Sequence, residues 1–127
     1  MDSQYVNITF SCNIPAVKHY NGFHGLVVNL GDLDGNKTDE IMYYPDWVLG
    51  NWAGVFIYGY RKNKWTLFGS GSVRRDVIFE KKDPIKFLKN RVKKIDNKSF
   101  NFTEHIWREQ KEGDDLIVDT VVTITIK

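Results

Sequence analysis

Gly31-Asp32-Leu33-Asp34-Gly35-Asn36-Lys37-Thr38-Asp39-Glu40-Ile41 is the stretch that decides how this chain folds, because it sets an acidic turn between two β-rich segments. Every second side chain carries oxygen, and a tightly curved backbone can point alternate side chains at one centre. Ca²⁺ binds six to eight oxygens at about 2.3–2.6 Å. Three carboxylates held this close without a cation would repel one another. The stretch therefore predicts a Ca²⁺ site formed by the side chains of Asp32, Asp34, Asn36 and Glu40 and the carbonyl of Thr38.

The alternative for this stretch is an ordinary polar turn, since Asp, Asn and Gly are also the residues that turns favour. An EF-hand does not fit. Its loop has Gly at the sixth position and Glu at the twelfth, with helices on both sides. Here Lys37 stands where that Gly would be, the acidic closure at Glu40 comes earlier, and the flanks are rich in β-forming residues. The regular spacing and the density of charge favour the metal site.

The same stretch resembles the calcium loop of FG-GAP/VCBS-type repeats, whose pattern is D-x-[DN]-G-[DN]-x-x-D-[DE]. The resemblance covers about residues 23–73 and is specific only at the loop. It implies a secreted or periplasmic bacterial protein whose calcium ligands are Asp32, Asp34, Asn36, Thr38 and Glu40. The chain departs from the family in having one copy of the loop, and a propeller needs several repeats. We therefore do not expect a propeller.

The rest of the chain predicts an all-β fold, mainly an antiparallel sandwich or a partly open barrel. Two hairpins are the clearest elements: residues 53–60 with 65–73, and 92–95 with 99–107. The last segment, 116–126, is the strongest strand, and Val122, Ile124 and Ile126 are expected on its buried face. Residues 5–12, 23–30, 40–44 and 76–80 are further predicted strands, and 16–22 a loop. Asp83 followed by Pro84 is typical of a helix start, so one short helix is an alternative there.

Length and composition indicate one domain spanning residues 1–127, since a chain of this size buries a substantial core. The net charge of +2 is small, so a polyanionic partner is not indicated by charge alone. Residues 74–94 are basic, but acidic residues interrupt them, and nucleic acid is not the expected partner. No apolar run is long enough to span a membrane. The resemblance makes a periplasmic or extracellular location the hypothesis, with a leader or lipid anchor no longer present.

No catalytic set is evident. His19, His24 and His105 form no close ligand pair, and Cys12 is a lone cysteine expected to be buried. The first functional hypothesis is a non-enzymatic protein with a structural Ca²⁺ that binds a protein partner, as an immunity protein or inhibitor binds a toxin or lytic enzyme. Its candidate contact residues are aromatic, because Trp and Tyr often anchor interfaces: Trp47, Trp52 and Tyr58. The alternative is a hydrolase or carbohydrate-processing enzyme whose site assembles only in the fold.

Overall fold

The computed structural model describes residues 5–11, 14–20, 24–45, 52–108, 113 and 116–126. Within them the strands are β1 (Tyr5–Ile8), β2 (Val17–Tyr20), β3 (Leu26–Gly31), β4 (Glu40–Tyr44), β5 (Trp52–Arg61), β6 (Lys64–Arg74), β7 (Val92–Asp96), β8 (Ser99–Arg108) and β9 (Leu116–Thr125). Two short helices, α1 (Arg75–Phe79) and α2 (Pro84–Lys89), lie between β6 and β7. The strands form three antiparallel sheets, β1-β2, β3-β4-β5-β6 and β7-β8-β9. The all-β prediction is confirmed, and no barrel closes among the described strands.

The four-stranded sheet is covered on both faces. One face contributes to the main hydrophobic cluster, which it shares with Phe100 and Phe102 of β8 and with the helices. The other face packs against the β1-β2 hairpin through a smaller cluster around Ile8 and Val17. All five residues of β4 are buried for this reason. Ile41 and Tyr43 enter the smaller cluster, and Met42 and Tyr44 enter the main one.

Strand β6 crosses β8 at very close range because small residues line the crossing. A Cβ atom added at Gly71 would lie 2.2 Å from the ring of Phe102, and one added at Gly69 would lie 2.8 Å from Ile124. The backbone N–H of Ser72 donates to Glu104 Oε2 at 3.0 Å. Glycine therefore fixes how the two larger sheets dock, and β8 side chains bond the edge of β6.

Both predicted hairpins are confirmed, and the first turns at Lys62 and Asn63, which have positive φ. The short helix is confirmed as α2: Asp83 accepts the Lys86 N–H at 3.0 Å, and Pro84 is its first residue. None of the described helices is long and apolar enough to cross a membrane.

Three local predictions are wrong. Residues 76–80 are not a strand, since α1 covers most of them and inserts Ile78 into the core. The expected loop at 16–22 contains β2, whose backbone pairs with β1. Val122 shares its side of β9 with Ile124 and Ile126 but is 37 % exposed. The main hydrophobic cluster reaches Ile124 and Ile126 and does not include Val122. Cys12 lies outside the described residues.

Candidate cation site in the β3-β4 loop

Asp32 organises the backbone of the loop between β3 and β4. Its Oδ1 accepts the Gly35 N–H at 2.8 Å, and its Oδ2 accepts the Lys37 N–H at 2.9 Å. Desolvation opposes ionisation of this carboxyl, but the two backbone hydrogen bonds outweigh it and hold the pKa of Asp32 below its usual value. Gly35 adopts φ +76°, a conformation that favours glycine. The carboxylate thus stays charged at the centre of the turn.

Glu40 closes the loop from the first position of β4, and its side chain is fully buried. Its Oε1 accepts two backbone N–H groups, from Leu33 at 2.6 Å and from Asp34 at 3.1 Å. Its Oε2 is buried and has no hydrogen-bond partner among the described residues. Burial raises the pKa of Glu40 to about 7, and the charges of Asp34 and Asp32 add to the rise against the Leu33 hydrogen bond. This carboxylate therefore has one oxygen satisfied and one orphaned.

Three carboxylates converge at this point. One oxygen from each of Asp32, Asp34 and Glu40 lies within 4.8 Å of the others. The side chain of Asp34 is nearly as buried as that of Glu40, and its Oδ2 also lacks a hydrogen bond within the described part of the chain. Two cations stand nearby, with Arg61 Nε 3.5 Å from Asp34 Oδ2 and Lys94 Nζ 3.1 Å from the Asp32 carbonyl. The group can hold a metal ion, and its oxygen-only donors suit hard cations such as Ca²⁺, Mg²⁺ or Mn²⁺.

Asn36 and Thr38, the other two predicted ligands, connect the loop to β5. The Asn36 amide donates to the Tyr60 carbonyl at 2.9 Å. Its Oδ1 lies 3.0 Å from the Thr38 N–H and 2.6 Å from the Thr38 hydroxyl. The structure therefore gathers Asp32, Asp34 and Glu40, whereas the Asn36 amide oxygen is bonded within the loop.

Sequence reasoning missed the residues that hold the loop against the protein. Leu33 sits between two acidic residues yet belongs to the main hydrophobic cluster. Asn97, in the β7-β8 turn, packs so closely on Gly35 that an added Cβ would lie 2.6 Å from its side chain. Only the apolar character of Leu33 was a readable signal; the contacts of Lys94 and Asn97 depend on how the sheets dock.

The predicted aromatic contact residues have different environments. Trp52 is 38 % exposed at the start of β5, with Arg74 Cζ 5.3 Å from its ring centre. Tyr58 is half-buried, and its hydroxyl lies 2.5 Å from His19 Nδ1 beneath the β1-β2 hairpin. Trp47 lies outside the described residues.

Glu104 and His105, neighbouring residues of β8 that an enzyme could use as an acid and a base, make structural contacts. His105 Nδ1 accepts the Arg74 N–H at 2.8 Å, and its Nε2 lies 3.5 Å from Asp119 Oδ1. Burial, and then the charge of Arg91, lower the pKa of His105. Glu104 accepts the Ser72 N–H. Both ring nitrogens of His105 thus face protein groups, and no observation on these residues favours catalysis.

A mainly apolar cleft of about 290 Å³ borders the end of the acidic loop at Thr38 and Asp39. Phe10, Ile41, Tyr60 and Trp65 supply its apolar wall, and Thr38 and Asp39 belong to the loop itself.

Comparisons with protein-family models, with curated proteins and with solved structures give no significant match. The FG-GAP/VCBS resemblance of the loop therefore stays a hypothesis drawn from its residues.

Proposed function

We propose that this chain is an extracytoplasmic β-sheet protein in which one Ca²⁺ fixes the β3-β4 loop and whose surface binds another protein. The observation that carries the metal assignment is Glu40: it is fully buried, and its Oε2 faces no donor among the described residues. A buried carboxylate oxygen left without a hydrogen-bond partner costs a fold about 1–3 kcal/mol or more. A divalent cation next to Asp32, Asp34 and Glu40 would remove both that penalty and their mutual repulsion.

Calcium is the proposed ion because of the donors and their backbone. The three carboxylates come from a nine-residue span that also contains the Asn36 amide and the Thr38 carbonyl. Ca²⁺ accepts a variable number of oxygens in irregular geometry, whereas Mg²⁺ demands near-octahedral ligands and keeps several waters. Sites of this kind in extracellular modules bind Ca²⁺ with Kd of about 10⁻⁴–10⁻³ M. Millimolar calcium is therefore the concentration at which to look.

Thermal melting with added ions tests the metal assignment. The wild-type protein should melt higher in 5–10 mM Ca²⁺ (about ten times the weaker Kd) than in chelator, and equimolar Mg²⁺ should do less. The double variant D32N/D34N should lose the calcium response. Asp39→Asn is the matched control, since Asp39 is outside the carboxylate group and bonds Asn29 at 3.0 Å. A wild-type melt that chelator leaves unchanged would show that the loop is a plain turn.

The partner is proposed to be a protein, with the chain acting as an immunity protein or inhibitor of a toxin or lytic enzyme. Supporting this, Trp52 is exposed and stacked against Arg74, and Trp and Arg are frequent interface anchors. Trp47 and Tyr58 are the other proposed contacts. The periplasmic or extracellular location, with a lipid anchor as one way of attachment, rests on the loop's resemblance alone.

Purification from the native host in calcium tests the partner proposal. A partner identified by mass spectrometry should be a secreted toxin or lytic enzyme whose activity falls when the pure protein is added. Trp52→Ala should weaken that inhibition at least tenfold, whereas Trp107→Ala, at another exposed Trp, should leave it unchanged. A bound protein whose activity does not change, or no bound protein, would contradict the proposal.

A further inference from the structure

Strand β9 is a long sheet edge with apolar side chains in solvent. It runs from Leu116 to Thr125 and pairs with β8 along its whole length. Among the described residues, β8 is the only strand beside it. Leu116 is 48 % exposed, Val121 59 % and Val122 37 %, so both faces of the strand present apolar surface. Long apolar edges of this kind accept further strands.

The other described edges carry features that discourage such pairing. The N–H groups of Ser72 and Arg74 on β6 donate to Glu104 and His105. Helix α2 lies against β3. Strand β7 is short and carries two adjacent lysines, and β1 and β2 have four residues each. The one charge on β9, Asp119, is bonded to Arg91 at 2.8 Å within the same chain. Strand β9 therefore lacks the protection that the other edges have.

Two backbone hydrogen bonds show which β9 groups point outward. Thr103, the β8 partner of Val121, donates its N–H to Arg91 on the far side of β8. Ile126 donates its N–H back to Lys98. Since the hydrogen-bonding direction alternates along an antiparallel strand, the even-numbered residues of β9 bond β8. The outward N–H and C=O groups then belong to Ile117, Asp119, Val121, Thr123 and Thr125.

We propose that β9 binds a second copy of this chain, antiparallel, about a two-fold axis at Val121. In this register every outward residue meets an outward residue of the copy: 117 with 125, 119 with 123, and 121 with itself. Asp119 faces Thr123, and on the inner face Val118 meets Ile124. The two three-stranded sheets then become one continuous sheet.

Shifting the two-fold axis by one or two residues toward the start of β9 pairs fewer of the outward backbone N–H and C=O groups or brings like charges together. Within the described strand, an axis at Thr120 leaves Thr125 without an opposing residue and places Asp119 against Val121. An axis at Asp119 sets two carboxylates directly opposite, which is destabilising. Self-pairing is favoured over a foreign strand because the axis at Val121 also matches side chains, placing Val118 against Ile124 and the one charge of the strand, Asp119, against Thr123. The contact is confined to a strand edge, so the dimer belongs to the weak, concentration-dependent class.

Cysteine cross-linking tests the register in the full chain carrying Cys12→Ser. Val121→Cys brings two thiols together across a hydrogen-bonded pair, where Cα atoms lie about 5.5 Å apart, within disulfide range. Thr125→Cys is the control, because its two copies would lie about 27 Å apart at 3.4 Å per residue. Mild oxidation should give disulfide dimers with Val121→Cys only. Equal dimers with both variants, or none with Val121→Cys, would overturn the register.

Sedimentation equilibrium tests the dimer itself. The mean mass should rise with concentration from 14.8 kDa toward twice that value. Val121→Lys sets two like charges opposite each other at the axis and should weaken association at least tenfold while the melting temperature of the dilute monomer stays unchanged. A wild-type mass that remains monomeric to millimolar concentration would overturn the proposal and leave a foreign strand as the occupant.

Discussion

Replacing Glu40 with glutamine should stabilise the protein in chelator and remove its stabilisation by calcium. Gln keeps an oxygen that can accept the Leu33 and Asp34 N–H groups now bonded by Glu40 Oε1. It also turns the orphaned Oε2 into an amide that can donate to Asp34 or Asp32. In chelator the variant should therefore be more stable than wild type at neutral and higher pH. In calcium it lacks the closing carboxylate and should gain no stability, so wild type should become nearly as stable as the variant.

The size of the effect follows from the pKa of Glu40. Folding raises it from 4.5 to about 7, which at 1.36 kcal/mol per pH unit is about 3 kcal/mol. A raised carboxyl pKa means that folding favours the protonated form, so this stabilising contribution is complete below pH 4.5 and lost by about pH 7. In chelator at pH 8, E40Q should melt roughly 10 °C above wild type, at about 4 °C per kcal/mol. Calcium at 100 times its Kd raises the free energy of unfolding of wild type by about 2.7 kcal/mol, and it should leave that of E40Q unchanged.

Melting curves at pH 5 and pH 8, each with chelator and with calcium, measure this. Asp39→Asn is the control for loss of one negative charge, and it should follow wild type under every condition. The reasoning is refuted if E40Q and wild type respond equally to calcium, or if E40Q is the less stable protein in chelator at pH 8.

Three further predictions concern the loop, the core and the pH response. Gly31 and Gly35 both have positive φ, but only Gly35 packs on Asn97; Gly35→Ala should therefore lower the melting temperature more than Gly31→Ala, and Asn97→Gly should recover part of the difference. Phe102→Ala empties a fully buried site and should lower the free energy of unfolding by about 3–5 kcal/mol in urea titrations, whereas Leu67→Ala, at a half-exposed site, should stay within about 1 kcal/mol. Burial lowers the pKa of His105, so folding favours the neutral ring, and the stability this gives is complete above pH 6.5 and lost as pH falls. His105→Asn keeps an acceptor for the Arg74 N–H and cannot be protonated. It should therefore reduce the slope of unfolding free energy against pH below 6.5 by up to about 1.4 kcal/mol per pH unit. Equal slopes for wild type and variant would show that His105 does not contribute.

The elements that could be predicted from sequence are those with strong local patterns. The hairpins around residues 61–64 and 96–98 combine β-rich flanks with polar turns, and Asp83 with Pro84 marks a helix start. Segment 76–80 alternates like a strand, but it buries only Ile78 fully, and the fold decided its helical geometry. Strand β2 was not predicted because Lys18 and His19 are polar and break the alternation of apolar and polar residues that marks a strand. In the structure His19 is nevertheless buried, since it packs against Tyr43 and Phe56.

The candidate site divides in the same way. Alternate spacing was enough to predict that Asp32, Asp34 and Glu40 converge. It carried no information that Glu40 would be fully buried, because that depends on both layers that cover β4. The roles of Arg61, Lys94 and Asn97 come from other strands and turns, so no local pattern could show them.

Burial of β4 on both faces has a consequence for how the protein would respond to its ion. Glu40 is the first residue of a strand whose next four side chains alternate between the two hydrophobic clusters. A displacement of the strand end cannot be absorbed by solvent-facing side chains, since β4 has none. Filling or emptying the loop should therefore tighten or loosen the hairpin layer and the main core together, and amide exchange should slow in both layers at one calcium concentration.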